Sequence, residues 1–343
     1  MRLMAMLVAS LGFCTLQMPT ARAEPVTVNV GITNALADVG LYVADKRGYF
    51  AQEGIKVNFV SFDAAARMIA PFASGDLDVG GGGISAGLFN AVTRGVKIRI
   101  VADKSTSAPG LSTSSLVVRH KLVESGAYKD PRDLKGRKIA VPAPGTGTST
   151  SLNRYFQTFG FSLKDVELVS MAFPQMVQAL QNDAVDGAFL TEPSFTRAIL
   201  DRVADVVASD DRMFPNHQIA VTIFSERFIA RDRATAVGFM KAMLRGTRDY
   251  LAATPHGKLD GPGAEDIIAI LNQYTVIKDP QVYRQIGVHN VDPDGRLNLD
   301  SLAEDLAYFQ SEGLIEGKAV LSDATDRTIA DDAVKAIGRA SER

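Results

Sequence analysis

Residues 40–62 read GLYVADKRGYFAQEGIKVNFVSF, and residues 150–171 read TSLNRYFQTFGFSLKDVELVSM. Each stretch opens with apolar residues at helical spacing, passes an aromatic pair and a glycine, and ends in a strand-like run. Tyr49-Phe50 with Gly54 returns as Tyr155-Phe156 with Gly160, an offset of 106 residues. Val60-Ser61 returns as Val169-Ser170 after 109 residues, and Asp78 as Asp186 after 108. Landmarks repeated in this order predict a duplication. Each copy reads as alternating strands and helices, the pattern of a mostly parallel sheet.

The surrounding sequence fills in both copies. Val26 to Ile32 (VTVNVGI) alternates as a first strand. Residues 40–52 have helical spacing and 56–62 read as a second strand. Asp63 is a cap candidate for a helix that runs to Ser74 and stops at Gly75. Residues 77–79 form a short strand entering Gly80-Gly81-Gly82-Gly83, followed by a helix over 84–94 and a strand over 96–102. In the second copy, strands are expected at 137–142, 166–171 and 185–190, with helices at 150–158 and 174–181. The Ser/Gly/Pro-rich residues 105–115 (STSAPGLSTSS) suit a crossing between lobes, and residues 216–222 suit the return. Residues 225–343 look helical and are expected to complete the first lobe. The expected organisation is lobe 1 from residues 24–110 and 220–343, and lobe 2 from 111–219.

Composition agrees with this plan. The 343 residues are 46% hydrophobic and 22% charged, enough apolar material for a core and more length than one core usually takes. With 37 basic and 39 acidic residues, the chain gives no support to nucleic-acid binding. One cysteine excludes a disulfide scaffold and a cysteine-based zinc site.

The N-terminus reads as an export signal. Arg2 precedes the apolar residues 3–16, too short to span a bilayer, and Ala21-Arg22-Ala23 reads as a cleavage site. Cleavage after Ala23 removes Cys14 and leaves 35 basic against 39 acidic residues, a net charge of −4. Phe13 before the cysteine speaks against a lipid anchor. The expected product is exported, periplasmic and without cysteine.

Loops at strand carboxyl ends, beside helix starts, are where open α/β sheets bind ligands. In both copies these loops are rich in Gly, Ser and Thr. Gly145, Thr146, Gly147, Thr148 and Ser149 open a helix, so their N–H and hydroxyl groups can converge on an anionic or strongly polar group. Without a lysine the segment is no P-loop. Gly82, Gly83 and Ser85 are the counterpart in the first copy. Gly81, Gly83, Ala86 and Asp103 mimic a dinucleotide fingerprint, but the preceding strand is too short and the chain is exported. Thr33 and Asn34 follow the first strand, and Phe62 ends the second as a candidate wall. Lys104, Ser105 and Thr106 begin the crossing. Thr191 and Glu192 end a strand, where Glu192 could accept from a ligand or fix the hinge through an ion pair. The four histidines are scattered with no pair at ligand spacing, and Arg296 and an early glycine spoil a calcium-loop reading of residues 292–295.

Four segments carry a family resemblance: GLYVADKRGYFAQEGIKVNFV, FASGDLDVGGGGIS, DPRDLKGRKIAVPAPGTGTST and LQNDAVDGAFLTEPSF. Together they resemble the periplasmic substrate-binding proteins of ABC transporters, in the branch serving nitrate, sulfonates, taurine and thiamine-precursor pyrimidines. The resemblance covers about Val26 to Phe224. It implies a two-lobed, type 2 periplasmic-binding-protein fold that closes on a small ligand and docks on a membrane permease. Many relatives have an aromatic residue before the Glu-Pro pair, where this chain has Thr191. The expected function is solute capture by a monomer, with a sulfonate- or carboxylate-like anion favoured and no cofactor or metal. The alternatives are a ligand sensor and a pyrimidine-type enzyme on the same fold. The enzyme branch carries a cysteine-rich motif that the mature chain lacks.

Overall fold

The computed structural model describes residues 24–340. The expected export signal and Cys14 lie outside the described residues. In chain order the strands are β1 (Val26–Ile32), β2 (Ile55–Ser61), β3 (Val79–Gly83), β4 (Ile98–Ser105), β5 (Ser114–Arg119), β6 (Lys138–Val141), β7 (Glu167–Ser170), β8 (Gly187–Thr191), β9 (Ala204–Ser209) and β10 (Ala220–Ser225). They form two five-stranded sheets, ordered β2-β1-β3-β10-β4 and β7-β6-β8-β5-β9. Only β10 and β5 run against their neighbours, so each sheet is mixed with one reversed strand.

The duplication is visible in the pairing itself. Gly31 faces Val60 in the first sheet, and Ala140 faces Val169 in the second, each residue shifted by 109. Val30 faces Val79, and Ile139 faces Gly187. The reversed strand is exchanged: β5 follows β4 in sequence but joins the second sheet, and β10 follows β9 but returns to the first. The chain therefore crosses through residues 106–113 and 210–219.

Alternation along each strand sends side chains to opposite faces, and both faces are covered. In the first sheet Ile98 and Ile100 pack on one side with Val221 and Ile223, while Val101, Ala102 and Phe224 pack on the other. In the second, Leu116, Ile139 and Val141 face one core, and Val117, Ala140 and Ala188 face the other. The long helix Arg233–Ala252 buries Phe239, Met240 and Leu244 against the first sheet.

Several local expectations need correction. Residues 40–52 form two helices, Val39–Lys46 and Tyr49–Gln52, because Gly48 between them is left-handed at φ 71°. Asp63 caps nothing: it is exposed, and the turn Ala65–Met68 is entered through Ala64. The glycines 80–83 are strand, not loop, since they pair along β10. Their smallness is needed there, because a Cβ on Gly81 would lie 2.8 Å from the Lys104 side chain and 2.9 Å from the Val221 carbonyl oxygen. Strand β4 runs on to Ser105. Strands β5, β9 and β10 are not expected from the sequence: residues 114–115 and 220–222, read as parts of the two crossings, belong to strands because they pair in the ladders of β5 and β10.

Candidate functional site

Both sheets point their loops at one seam, and a small cavity of about 70 Å³ lies in it. Its wall comes from the carboxyl ends of the parallel strands and the nearby ends of β4, β5 and β10. Four helical segments begin at the wall: Leu36–Asp38 running into Val39–Lys46, Ala65–Met68, Gly147–Gln157 and Phe173–Gln181. Part of the first-turn donors is already engaged, since the N–H groups of Asp38, Arg67, Ser149 and Gln175 donate to the carbonyls of Ala35, Ala64, Thr146 and Ala172, and the helix dipole adds positive potential there. Among the described residues lining the cavity there is no Asp, Glu, Lys, Arg or His. The polar wall is hydroxyls and backbone.

The lobes touch across this seam. Ala86 N–H donates to the Gly145 carbonyl at 2.8 Å, and Gly147 N–H donates to the Ile84 carbonyl at 3.0 Å. Ser85 and Thr146 thus form an antiparallel bridge between the two polar segments. Leu36 N–H also crosses to the Glu192 carbonyl at 2.9 Å. The arrangement is closed.

The expected residues divide. Thr33, Gly82, Gly83, Ser105, Thr146, Thr148 and Thr191 line the cavity. Asn34, Phe62, Ser85, Thr106, Gly145, Gly147, Ser149 and Glu192 do not. Asn34 makes a left-handed turn at φ 56°. Phe62 packs at the edge of the first-sheet core. Ser85 accepts from Leu88 N–H at 3.2 Å as a helix cap. Thr106 donates to Asp103 at 3.1 Å. Gly145 N–H donates to Ser149 Oγ at 3.1 Å, closing their own loop. Gly147 backs onto a histidine: a Cβ there would lie 3.0 Å from His217 Nε2.

Glu192 neither faces the cavity nor makes an ion pair. Its carboxyl accepts from Thr196 N–H at 3.0 Å, Thr196 Oγ1 at 2.8 Å and Gly287 N–H at 3.2 Å. Burial pushes it up to about 7, against the lowering effect of those donors. It ties the second lobe to a C-terminal segment of the first.

Beneath the first loop, Asp38 accepts from Thr33 N–H at 3.1 Å and Ala35 N–H at 3.2 Å, and its other oxygen pairs with buried Lys104. Lys104 therefore holds the loop without entering the cavity. Ser105 Oγ, in contrast, is buried at the wall and has no hydrogen-bond partner among the described residues. Ser114 Oγ donates to Thr191 Oγ1 at 3.1 Å.

Sequence reasoning missed Ala35, Ala37, Ala64, Ala65, Thr113, Ser114, Phe173 and Phe189. Phe189 was within reach, because it lies two residues before Thr191 on β8 and shares its face. Ser114 stands opposite Thr191 in the ladder, a register that requires knowing β5. The alanines carry no chemical signal.

A second cluster was also missed. His217, in the return crossing, contacts Asp210 at 3.0 Å, Asp305 at 3.3 Å and Ser151 at 3.1 Å, all buried. Burial alone would lower the imidazole, but the two carboxylates raise it to about 10. Its ring stacks on Phe214 with centroids 4.4 Å apart. Ser107 and His217 exchange hydrogen bonds of 2.8 Å, tying the two crossings together. Asp305 comes from Leu299–Ser311, a helix on the first lobe, so the cluster spans the seam.

Known proteins share this design. A family model described as the NMT1-like family matches residues 21–256. The taurine-binding periplasmic protein of Escherichia coli K12 is 26% identical over 249 residues, 72% of this chain and 72% of that protein. The alkanesulfonate-binding protein SsuA from Xanthomonas axonopodis pv. citri, solved bound to MOPS, superposes with a TM-score of 0.68 at 18% identity. That match covers 89% of this chain and 99% of SsuA. The fold also carries an enzyme: the desulfurization enzyme DSZB superposes with a TM-score of 0.59 at 14% identity, over 91% of this chain and 99% of its own. With paired sheets, a closed seam and a family match over more than half its length, the chain belongs to the NMT1-like family, whose relatives here include periplasmic solute-binding proteins.

Proposed function

We propose that this protein is an extracytoplasmic receptor that captures a small organic anion between its lobes and delivers it to an ABC permease. One observation carries the reading: a cavity between the lobes, lined by no charged side chain among the described residues, on which four helix starts converge. Dipoles fixed by both lobes would solvate a single negative charge together, and each charge-assisted hydrogen bond contributes ~1.5–3 kcal/mol. Ligand would then favour the closed arrangement, because neither lobe alone completes the shell. Binding rather than catalysis is supported by relatives named as binding proteins, such as the taurine-binding protein. The sequence of residues 1–23 and the periplasmic relatives support export. A monomer with two jointly presented lobe surfaces is the form that would dock on the permease.

A thermal-shift panel of sulfonates, carboxylates, nitrate and pyrimidines on residues 24–343 tests this. An anion present at 100 times its dissociation constant should stabilise the protein by about 2.7 kcal/mol. Stabilisation by a neutral pyrimidine and by no anion would refute the anion reading.

A further inference from the structure

We propose that the cavity selects anions that carry no amino group, so that an alkyl sulfonate or carboxylate is taken and its amino-substituted analogue is rejected. This rests on the reading above that the cavity takes an anion. Three carboxylates adjoin wall residues in sequence: Asp38 and Glu192 are committed elsewhere, and Asp63, before wall residue Ala64, is exposed and is not part of the wall. Asp38 follows wall residue Ala37, but its oxygens are held by Lys104 and by the N–H groups of Thr33 and Ala35. Glu192 follows wall residue Thr191, but its oxygens accept from Thr196 and Gly287. Both side chains are essentially inaccessible, at 0% and 1% exposure.

An ammonium entering the closed seam would lose its water and meet no counter-charge, because no acidic residue lines the cavity among the described residues. The non-polar wall, Ala35, Ala64, Ala65, Phe173 and Phe189, suits a short hydrocarbon tail instead. Ser105 lines the wall and is 1% exposed, and its buried Oγ has no hydrogen-bond partner among the described residues. In this proposal an anionic headgroup is the acceptor for its O–H. The pocket thus offers an alkyl anion both hydroxyl donors and carbon. It departs in this from what the name of the taurine-binding relative describes, since taurine carries both a sulfonate and an ammonium.

Matched pairs in isothermal titration calorimetry decide the matter: propane-1-sulfonate against 2-aminoethanesulfonate, and butanoate against 3-aminopropanoate, on wild type and Thr191→Asp. The expected result is at least tenfold tighter binding of the amine-free member of whichever pair binds. Thr191→Asp should shrink or reverse that ratio by placing a carboxylate in the wall. Equal or tighter wild-type binding of an amine-bearing member overturns the proposal while leaving the anion reading intact. Failure of both pairs, with a pyrimidine binding in the same cell, overturns the anion reading and this proposal with it. The wild-type comparison stands even if Thr191→Asp does not fold.

Discussion

The cavity and the cluster around His217 lie on the same seam and are built from opposite chemistry. The cavity wall carries hydroxyls, backbone and small apolar groups with no formal charge among the described residues. A few residues away, His217 is buried between Asp210 and Asp305 and is pinned to the other crossing through Ser107. Gly147 stands between them, opening a helix that starts at the cavity and backing onto the His217 ring. The difference assigns two jobs. A fixed charge cluster holds parts of both lobes in register, since a buried ion left without its partner is costly. Neutral dipoles are left for the ligand, which in the proposed reading supplies the charge and departs when the seam opens.

The largest effect that would break this comparison is at His217. His217→Ala strands two buried carboxylates and should cost ~3–5 kcal/mol in urea denaturation. Its pH signature is specific. The folded value is raised above 6.5, so the stability from this group is full below about pH 6.5 and is lost as pH rises through about 10. His217→Gln should flatten that alkaline slope; an unchanged slope would remove the charge from the account.

Ser105→Ala tests the other half. It should weaken an anionic ligand found in the thermal-shift panel by ~1.5–3 kcal/mol, about 10- to 100-fold. Because Ser105 Oγ is buried and unpaired, the ligand-free protein should lose no stability. A loss of stability without a loss of affinity would make Ser105 structural. The smallest effect is expected at the exposed interlobe pair of Arg154 and Glu304, 2.8 Å apart. Arg154→Ala should change stability by less than about 1 kcal/mol. A larger loss would mean that surface pairs, and not the His217 cluster, hold the lobes together.

The duplication was legible because it rests on local patterns: an aromatic pair, a helix-stopping glycine and a following strand recur at nearly constant offset. The polar strand ends were legible because Gly, Ser and Thr are uncommon choices where a sheet would bury apolar residues. That reading could not separate residues facing the cavity from those facing the seam. Thr146 and Thr148 line the cavity, while Gly145 and Gly147, which alternate with them, bond to, or back onto, the other lobe. In a helix start, neighbouring residues point in different directions, and the direction depends on how the helix docks.

By itself the sequence determined the α/β class, the repeat and the strand ends that would face a ligand, because periodicity and turn chemistry are local properties. Only the tertiary structure decided that Glu192 accepts from Thr196 and Gly287, that Lys104 and Asp38 neutralise one another beneath the loop, and that His217 meets two aspartates. Asp210 and Asp305 stand 7 and 88 residues from that histidine. Such partners are selected by the packing of two lobes around exchanged strands, and no spacing along the chain encodes it.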